Sequence, residues 1–379
     1  MSARTILAAV RSNVVLVVSA LAAVATCAVV PPDREYAAYI DWNTLGCLFC
    51  MLAIIVVVRA SGLFDALARR LVARCRGLRA LVGALVFLTG ASSMFVTNDT
   101  ALLMFLPLSA LVLAATGNAR WTPFAFVMQD VAANLAGMIM PFGNPQNIFL
   151  YSSFGISAGD FFATMLPPFV LSCVLIAVCC VVFVPHGEAS VPEGSVVVDR
   201  RKAMVAAALF VLAMLAVFRA VPVFWAVAAC ALVLAVADRS SFARVDWGLL
   251  LTFACFFVFS GNMARIPAVQ DVLGPLMQQA PLVTSALASQ VVSNVPAAVL
   301  LSPFTGDWAS LLTGVNVGGA GTPIASLASL ITLSQFQRVR EGSSQALREQ
   351  MGTTGSYLAR FSAVNFAFLA ILLAFCTLV

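Results

Sequence analysis

Apolar runs of about 17 to 25 residues follow one another along this chain, and a run of that length crosses a hydrocarbon layer roughly 30 Å thick as a helix. Only helices and closed barrels satisfy their backbone polar groups in such a layer, so helical runs of this kind make a membrane bundle. The runs fall at residues 12–30, 42–60, 121–155, 164–185, 203–219, 222–238, 246–263, 306–333 and 357–378. Of the 379 residues, 62% are hydrophobic and 10% charged, which leaves too little polar surface to wet a soluble core. The expected fold class is an all-α polytopic membrane protein.

Lys and Arg outnumber Asp and Glu by 21 to 16, and the excess lies in short connections, where it sets orientation rather than nucleic-acid binding. The 31–43 connection holds one basic and three acidic residues, whereas Arg59, Arg69, Arg70, Arg74, Arg76 and Arg79 crowd the next, which is therefore expected on the cytoplasmic side. Following the chain puts the N-terminus inside, the 186–202 connection with Arg200, Arg201 and Lys202 inside, the loop with Arg338 and Arg340 inside, and the C-terminus outside. Arg4 and Arg11 precede the first run, which reads either as a signal peptide, with a weak lipobox at Cys27, or as an uncleaved helix. The spans directly behind it favour the uncleaved helix.

Chemistry based on soft or basic ligands finds little support. Cys47 and Cys50 form a C-x-x-C without a second pair or a histidine cluster, and small residues packing a membrane helix account for them. The single histidine, His186, falls in the hydrophilic "PHGEASVPEGSVVVDRRK" connection. Neither a G-x-S-x-G elbow nor a Walker loop is present, so no enzyme is expected.

Two further runs, 78–117 and 281–303, are broken by "TNDT" and "SNVP" and read as re-entrant hairpins; the spans at 121–155 and 306–333 are interrupted. Segments 63–79 and 266–280 carry apolar stripes, through Leu63, Leu67, Leu71, Cys75 and Leu78 and through Ile266, Val269, Leu273, Leu276 and Ala280. Both are expected as helices lying along the interface. "DWNTLGCLFC…RASG" (41–62) is echoed by "DWGLLLTFAC…VFSG" (246–261), "SMFVTNDTALLMFLP" (93–107) by "SQVVSNVPAAVLLSP" (289–303), and "NLAG…GNPQN" (134–147) by "NVGG…GTPIAS" (316–326). Echoes in the same order make an internal repeat, and the crossings between them invert it. The expected organisation is a first repeat over 1–185, a cytoplasmic loop and linking span over 186–221, and a second repeat over 222–379.

Each break holds a helix-start signal: Asn98 and Asp99, Asn144 before Pro145, Asn294 before Val295-Pro296, and Thr322 before Pro323. Four helix N-termini meeting at mid-membrane present backbone N–H groups and about half a positive charge each, an anion site that needs no Arg or Lys. Gly137, Gly143, Gly318, Gly319 and Gly321 let the chain turn and a ligand approach. As a cap, Asp99 contributes about 1 kcal/mol, yet an acidic residue at the bilayer centre costs about 2.5–3.5 kcal/mol. A charge-dependent role, holding a coupling cation or exchanging a proton, is the expectation. Asp130, one turn before Asn134, is the other carboxylate well within a span; a pathway role and a structural hydrogen bond both fit it.

"TNDTALLMFLPL", "GNPQNIFLY", "SQVVSNVPAAVLL" and "NVGGAGTPIASLASL" together resemble the ion-transporter superfamily of citrate-transporter-like permeases, divalent-anion/sodium symporters and arsenite permeases, over almost the whole chain. In the divalent-anion symporters, Ser-Asn-Thr tips bind substrate carboxylate and sodium. The resemblance thus implies substrate roles for Thr97, Asn98, Thr100, Ser293 and Asn294, and beside them the breaks offer Asn144, Gln146, Asn147, Thr322 and Ser326. Coupling-ion candidates are Asn98, Asp99, Asp130, Gly143, Asn294 and Gly321, with Na⁺ a candidate at Asn98, Asp99 and Asn294. This chain departs from the symporter pattern with Asp99 in the first tip and Val295-Pro296 in the second, closer to the bacterial anion-permease branch. The resemblance also implies a homodimer and an elevator-type motion.

Two functions stay open. One is a cation-coupled transporter of a small anion, carboxylate or inorganic oxyanion, in the inner membrane; the other is a Na⁺/H⁺ antiporter or an arsenite/antimonite efflux carrier. The expected partners are the anion, Na⁺ or H⁺ as coupling ion, and the bilayer, with no other cofactor and no nucleic acid.

Overall fold

A computed structural model describes residues 14–189, 197–237 and 239–378, and among these residues the regular structure is helical throughout. Arg4, Arg11 and residues 190–196 of the 186–202 connection lie outside the described residues.

The first half runs α1 (Val14–Cys27), α2 (Trp42–Ser61), α3 (Leu63–Ala73), α4 (Leu78–Ser93), α5 (Asn98–Ala115), α6 (Thr122–Ala136), α7 (Pro145–Ser153) and α8 (Ala158–Phe183). The rest comprises α9 (Arg200–Val217), α10 (Val223–Ala237), α11 (Trp247–Ala264), α12 (Pro267–Gln279), α13 (Pro281–Val292), α14 (Asn294–Leu301), α15 (Trp308–Val317), α16 (Leu327–Gly342), α17 (Gln345–Met351) and α18 (Thr354–Cys376). Each expected span has its helix. The runs 78–117, 121–155, 281–303 and 306–333 each fold as two helices with a break between them.

Local chemistry explains many of the starts. In the two "DW" echoes, Asp41 Oδ1 accepts from the backbone of Asn43 and Thr44, both at 3.0 Å, and Asp246 Oδ1 accepts from Leu249 at 2.9 Å. Each aspartate is an N-cap for the long apolar helix behind it. Gly62, at φ 69°, closes α2 in the left-handed conformation and lets α3 turn away at once. On α3, Leu63, Leu67 and Leu71 are outward-facing, and α12 presents Val272 and Leu276 in the same way. Along α8, Leu166, Val170, Val174 and Val178 form an exposed stripe at four-residue spacing, the surface a helix offers to lipid rather than to water.

The helices pack in two groups. α1 lies along α11, and α9 and α10 lie along α2. In the other group α6 is central: α4, α5, α8, α16 and α18 all pack against it, while α13 pairs with α15. The groups meet where α2 touches α7 and where α11 touches α14, next to the breaks.

Candidate binding site

The first tip joins α4 to α5. Thr97 and Thr100 share a hydroxyl–hydroxyl bond of 3.0 Å, and Asn98 Oδ1 accepts the Asp99 N–H at 2.9 Å. The amide end of Asn98 donates to Asn134 Oδ1 at 3.2 Å, and Ser326 Oγ donates to the same oxygen at 2.8 Å. At the second tip Asn294 Oδ1 accepts the Val295 N–H at 2.9 Å, and the Asn294 N–H donates to the Ala325 carbonyl at 2.8 Å. Ser293 enters this tip at φ 74°, ψ 152°, a region that side chains other than glycine rarely occupy. A Cβ on Gly319 would lie 2.9 Å from Asn294 Nδ2 and 3.9 Å from Asn134 Oδ1, so both tips converge on the end of α6.

A second junction surrounds Asn316, near the end of α15. Its oxygen accepts from Asn144 Nδ2 at 3.4 Å and Gln146 Nε2 at 3.3 Å, and its amide donates to Asn147 Oδ1 at 2.7 Å. Asn147 in turn donates to the Met138 and Met140 carbonyls at 3.2 and 3.1 Å, which closes the break between α6 and α7. That turn is too tight for side chains: a Cβ on Gly143 would lie 2.2 Å from the Gly137 carbonyl oxygen.

A cavity of about 410 Å³ opens against these junctions, lined by Asn98, Asp99, Gln146, Ser293, Asn294 and Ser326 and by apolar faces of α1 and α11. Among the described residues, no lysine or arginine lines it. A second cavity, of about 580 Å³, is lined by Thr97, Asp99 and Thr100 together with the exposed side chains of Arg59, Arg244 and Asp246. Asp99 is the polar residue common to both linings. Its Oδ1 is buried without a partner, as are Asn134 Nδ2, Asn144 Oδ1 and Gln146 Oε1. Buried polar atoms in native proteins are nearly all satisfied, so the unpaired oxygens of Asp99 and Gln146, both on the cavity lining, describe a place for a polar ligand.

The expected residues separate into those at the cavity and those that brace it. Asn98, Asp99, Gln146, Ser293, Asn294 and Ser326 line it, and Thr97 and Thr100 line its neighbour. Asn144 and Asn147 stand behind, in the Asn316 junction. Thr322 is drawn elsewhere: its N–H donates to Gln290 Oε1 and its hydroxyl to the Gln290 carbonyl, each at 2.9 Å. Gly321, at φ 124°, packs against the same glutamine, so close that a Cβ would meet Oε1 at 2.0 Å. The helix expected at Pro323 therefore begins only at Leu327, because Gln290 and Asn294 hold the stretch before it as a turn, and Ser326 is its cap, its Oγ accepting the Ala328 N–H at 3.2 Å. Asp130 lines neither cavity; Ser329 and Thr332 donate to it at 3.3 and 3.2 Å. The bare helix ends also prove partly capped, since Asp99, Val295 and Ala328 give their N–H groups to local side chains.

Asn134, Asn316 and Gln290 were not among the expected site residues. The two asparagines open the "NLAG" and "NVGG" echoes, which was the available signal.

The citrate transporter family matches residues 5–334 of the chain. The chain belongs to that family. An uncharacterized transporter of Methanocaldococcus jannaschii is 30% identical over 304 residues, covering 78% of this chain and 81% of the relative. The inner membrane protein YbiR of Escherichia coli is 31% identical over 309 residues, 79% of this chain and 81% of that one. Among solved structures, the Alcanivorax borkumensis YdaH transporter matches with a TM-score of 0.53 and 15% identity, over 90% of this chain and 86% of that one, which shows likeness of fold. This member of the citrate transporter family is thus a helical membrane transporter.

Proposed function

We propose that this protein is a secondary active transporter that moves a small anion, a carboxylate or an inorganic oxyanion, across the inner membrane, coupled to Na⁺ or H⁺. The observation that carries the reading is Asp99, a carboxylate shared by two cavities with one oxygen unpartnered and with Asn98, Ser293 and Asn294 beside it. A cation on Asp99 and Asn98 places positive charge where the described residues of the lining carry none. That charge is what an anion in the 410 Å³ cavity needs. Coupling follows from the order of events: without the cation, the carboxylate repels the anion, so the two bind together or not at all. Gln146, Ser293 and Ser326 orient the substrate; Asn144, Asn147 and Thr322 hold the breaks in register. Inverted repeats, re-entrant hairpins and an elevator motion of the α6 group against a scaffold of α1, α2 and α9–α11 in a homodimer complete the proposal. The separation of the helices into two packed groups supports it.

A second reading, a Na⁺/H⁺ antiporter or an arsenite/antimonite efflux carrier, is favoured by the lack of a basic residue among the described residues of that lining and by the caps on three helix starts. Uptake of labelled citrate, succinate, sulfate and arsenite into proteoliposomes, under imposed Na⁺ and pH gradients, separates the two. A gradient-driven anion signal that disappears in Asp99→Asn, with the melting temperature of the variant unchanged, is the expected result. Asparagine keeps the shape of the side chain and loses only the charge, and the local cap, Asn98 Oδ1 accepting the Asp99 N–H, stays in place. Unaltered cation dependence in Asp99→Asn, or exchange of cations with no anion moved, rules the symport reading out.

A further inference from the structure

The second cavity differs from the first in charge. Its mouth carries Arg59, from the last turn of α2, and Arg244 and Asp246, which precede α11, all with exposed side chains. Its floor is the first tip, where Thr97 and Thr100 are buried and Asp99 also lines the first cavity. The walls between are apolar, formed by Leu52, Ile55 and Val56 of α2, Leu103 of α5 and Ile331 of α16. At about 580 Å³ the space takes a small anion with part of its hydration shell, since a water's share of liquid volume is about 30 Å³.

Arg59 is available to a ligand. Among the described residues, no hydrogen bond or ion pair engages its guanidinium. The helix that echoes α2 in sequence, α11, also ends at an arginine, and there the group is taken: Arg265 binds Asp33 at 2.6 Å, Glu35 at 3.4 Å and the Tyr39 hydroxyl at 2.9 Å. Asp246, the acidic side chain described at the mouth of the second cavity, serves as the N-cap of α11. Its Oδ1 accepts the Leu249 N–H at 2.9 Å, so its charge faces the positive end of that helix. Arg244 adds a second guanidinium to the lining from a different part of the chain.

A guanidinium is planar, weakly hydrated and shaped to bind a carboxylate or an oxyanion through two parallel hydrogen bonds. Apolar walls behind such charges focus their field and raise the local concentration of anions. The first cavity lacks this attraction. Its described lining carries no positive charge until a cation sits at Asp99, and an anion that arrives earlier meets a carboxylate.

We propose that the second cavity is an anion-capture site, in which Arg59 and Arg244 hold a small carboxylate or inorganic oxyanion ahead of the cation site at Asp99. The anion passes the first tip once Asp99 has its cation. This rests on the transport reading for its purpose, but capture is a binding event and is tested without transport.

The test places a thiol on the cavity wall, Leu103→Cys, in the full-length protein in phosphatidylcholine vesicles and Na⁺-free buffer. The ratio of its reaction rates with an anionic and a cationic methanethiosulfonate reports the local potential, and the unaltered protein is the blank for the native cysteines. Adding Arg59→Gln is expected to lower that ratio about tenfold at low ionic strength, with the difference shrinking as salt is raised. Arg70→Gln, which removes an exposed arginine of α3 outside the cavity lining, leaves the ratio unchanged. Citrate, succinate or sulfate slows the reaction, and Arg59→Gln abolishes the protection. Ala60→Cys, on the same lining, covers the case in which Leu103→Cys does not fold. A ratio indifferent to Arg59→Gln, or no protection by any of the three anions, overturns the assignment. Protection that appears only when phosphatidylglycerol is added to the vesicles marks a lipid-headgroup site and overturns it as well. No gradient or flux enters these measurements, so a failure of the symport reading in the uptake assay is told apart from a failure of this site.

Discussion

Ser293 shows how much a single residue at the second tip is made to bear. Its φ of 74° with ψ of 152° falls in a region that is essentially reserved for glycine and costs a side chain about 1–3 kcal/mol, yet the hydroxyl is retained and lines the cavity. Strain kept at a ligand-facing position points to a use for the side chain. Ser293→Gly relieves the backbone, against roughly 0.5–1 kcal/mol of extra chain entropy in the unfolded state. The expected variant has an equal or slightly higher melting temperature and a raised half-saturating substrate concentration, both measurable on one proteoliposome preparation. A clear drop in melting temperature would show that the serine serves the fold instead. Among single residues, Asn98, Asp99 and Ser293 were legible because each interrupts an apolar run. Asn134 and Asn316 were not, because one asparagine inside an apolar helix reads the same whether it glues two helices or anchors a site. Only the bond from Ser326 to Asn134 over 192 residues and the bond from Asn316 to Asn147 over 169 residues tell them apart.

At the level of elements, boundaries that depend on local chemistry were readable and those set by distant contacts were not. Asp41 and Asp246 announce α2 and α11, and Pro145 announces α7. The start of α16 moved from Pro323 to Leu327 because Gln290, on α13, binds Thr322 from another part of the chain. Glycines at the breaks were expected to grant freedom; what they grant is close approach. On Gly143 a Cβ would stand 2.2 Å from the Gly137 carbonyl oxygen and 3.0 Å from its carbonyl carbon, and both obstacles are backbone that cannot swing aside. Gly83, within α4, has nothing within 4 Å of the same position. Gly143→Ala is therefore expected to destabilise the protein by about 1–3 kcal/mol, the range for overpacking a tight site. Gly83→Ala is expected to be neutral or to stabilise by up to about 1 kcal/mol, through helix propensity. Thermal unfolding followed side by side in the same detergent decides it: equal melting temperatures for the two variants would mean that the α6–α7 turn is slack.

Taken as a whole molecule, the connections gather on two rims. On one, Arg265 binds Asp33 at 2.6 Å and Glu35 at 3.4 Å, Ser153 reaches Asp41, and Arg219 holds the Tyr151 carbonyl. The hydrogen bond from Arg265 holds the Asp33 carboxyl below its ordinary value of 3.8, so this tie stays ionised at every physiological pH. On the other, Asp199 donates its N–H to the Ser61 carbonyl, Arg79 reaches Val184 and His186, Asn118 reaches the Glu188 carbonyl, and α17 packs on residues 119–121. The second rim also carries the arginines that follow α2, those that open α9, and Arg340. Sequence predicted this sorting from charge alone, because arginine excess marks the cytoplasmic side of short loops. Contacts bring each set of loops together; membrane labelling assigns the sides. Single cysteines placed beside Arg74 and beside Arg340 are expected to react with an impermeant maleimide only in inside-out vesicles, and one beside Asp33 only in right-side-out vesicles. The ten native cysteines make a background that must be subtracted, but Cys47, Cys50, Cys180 and Cys230 are buried, and the unaltered protein provides the blank. Labelling beside Asp33 and Arg74 from the same face would contradict the charge argument, and since α2 runs between them, would also mean that this 20-residue helix does not cross the bilayer.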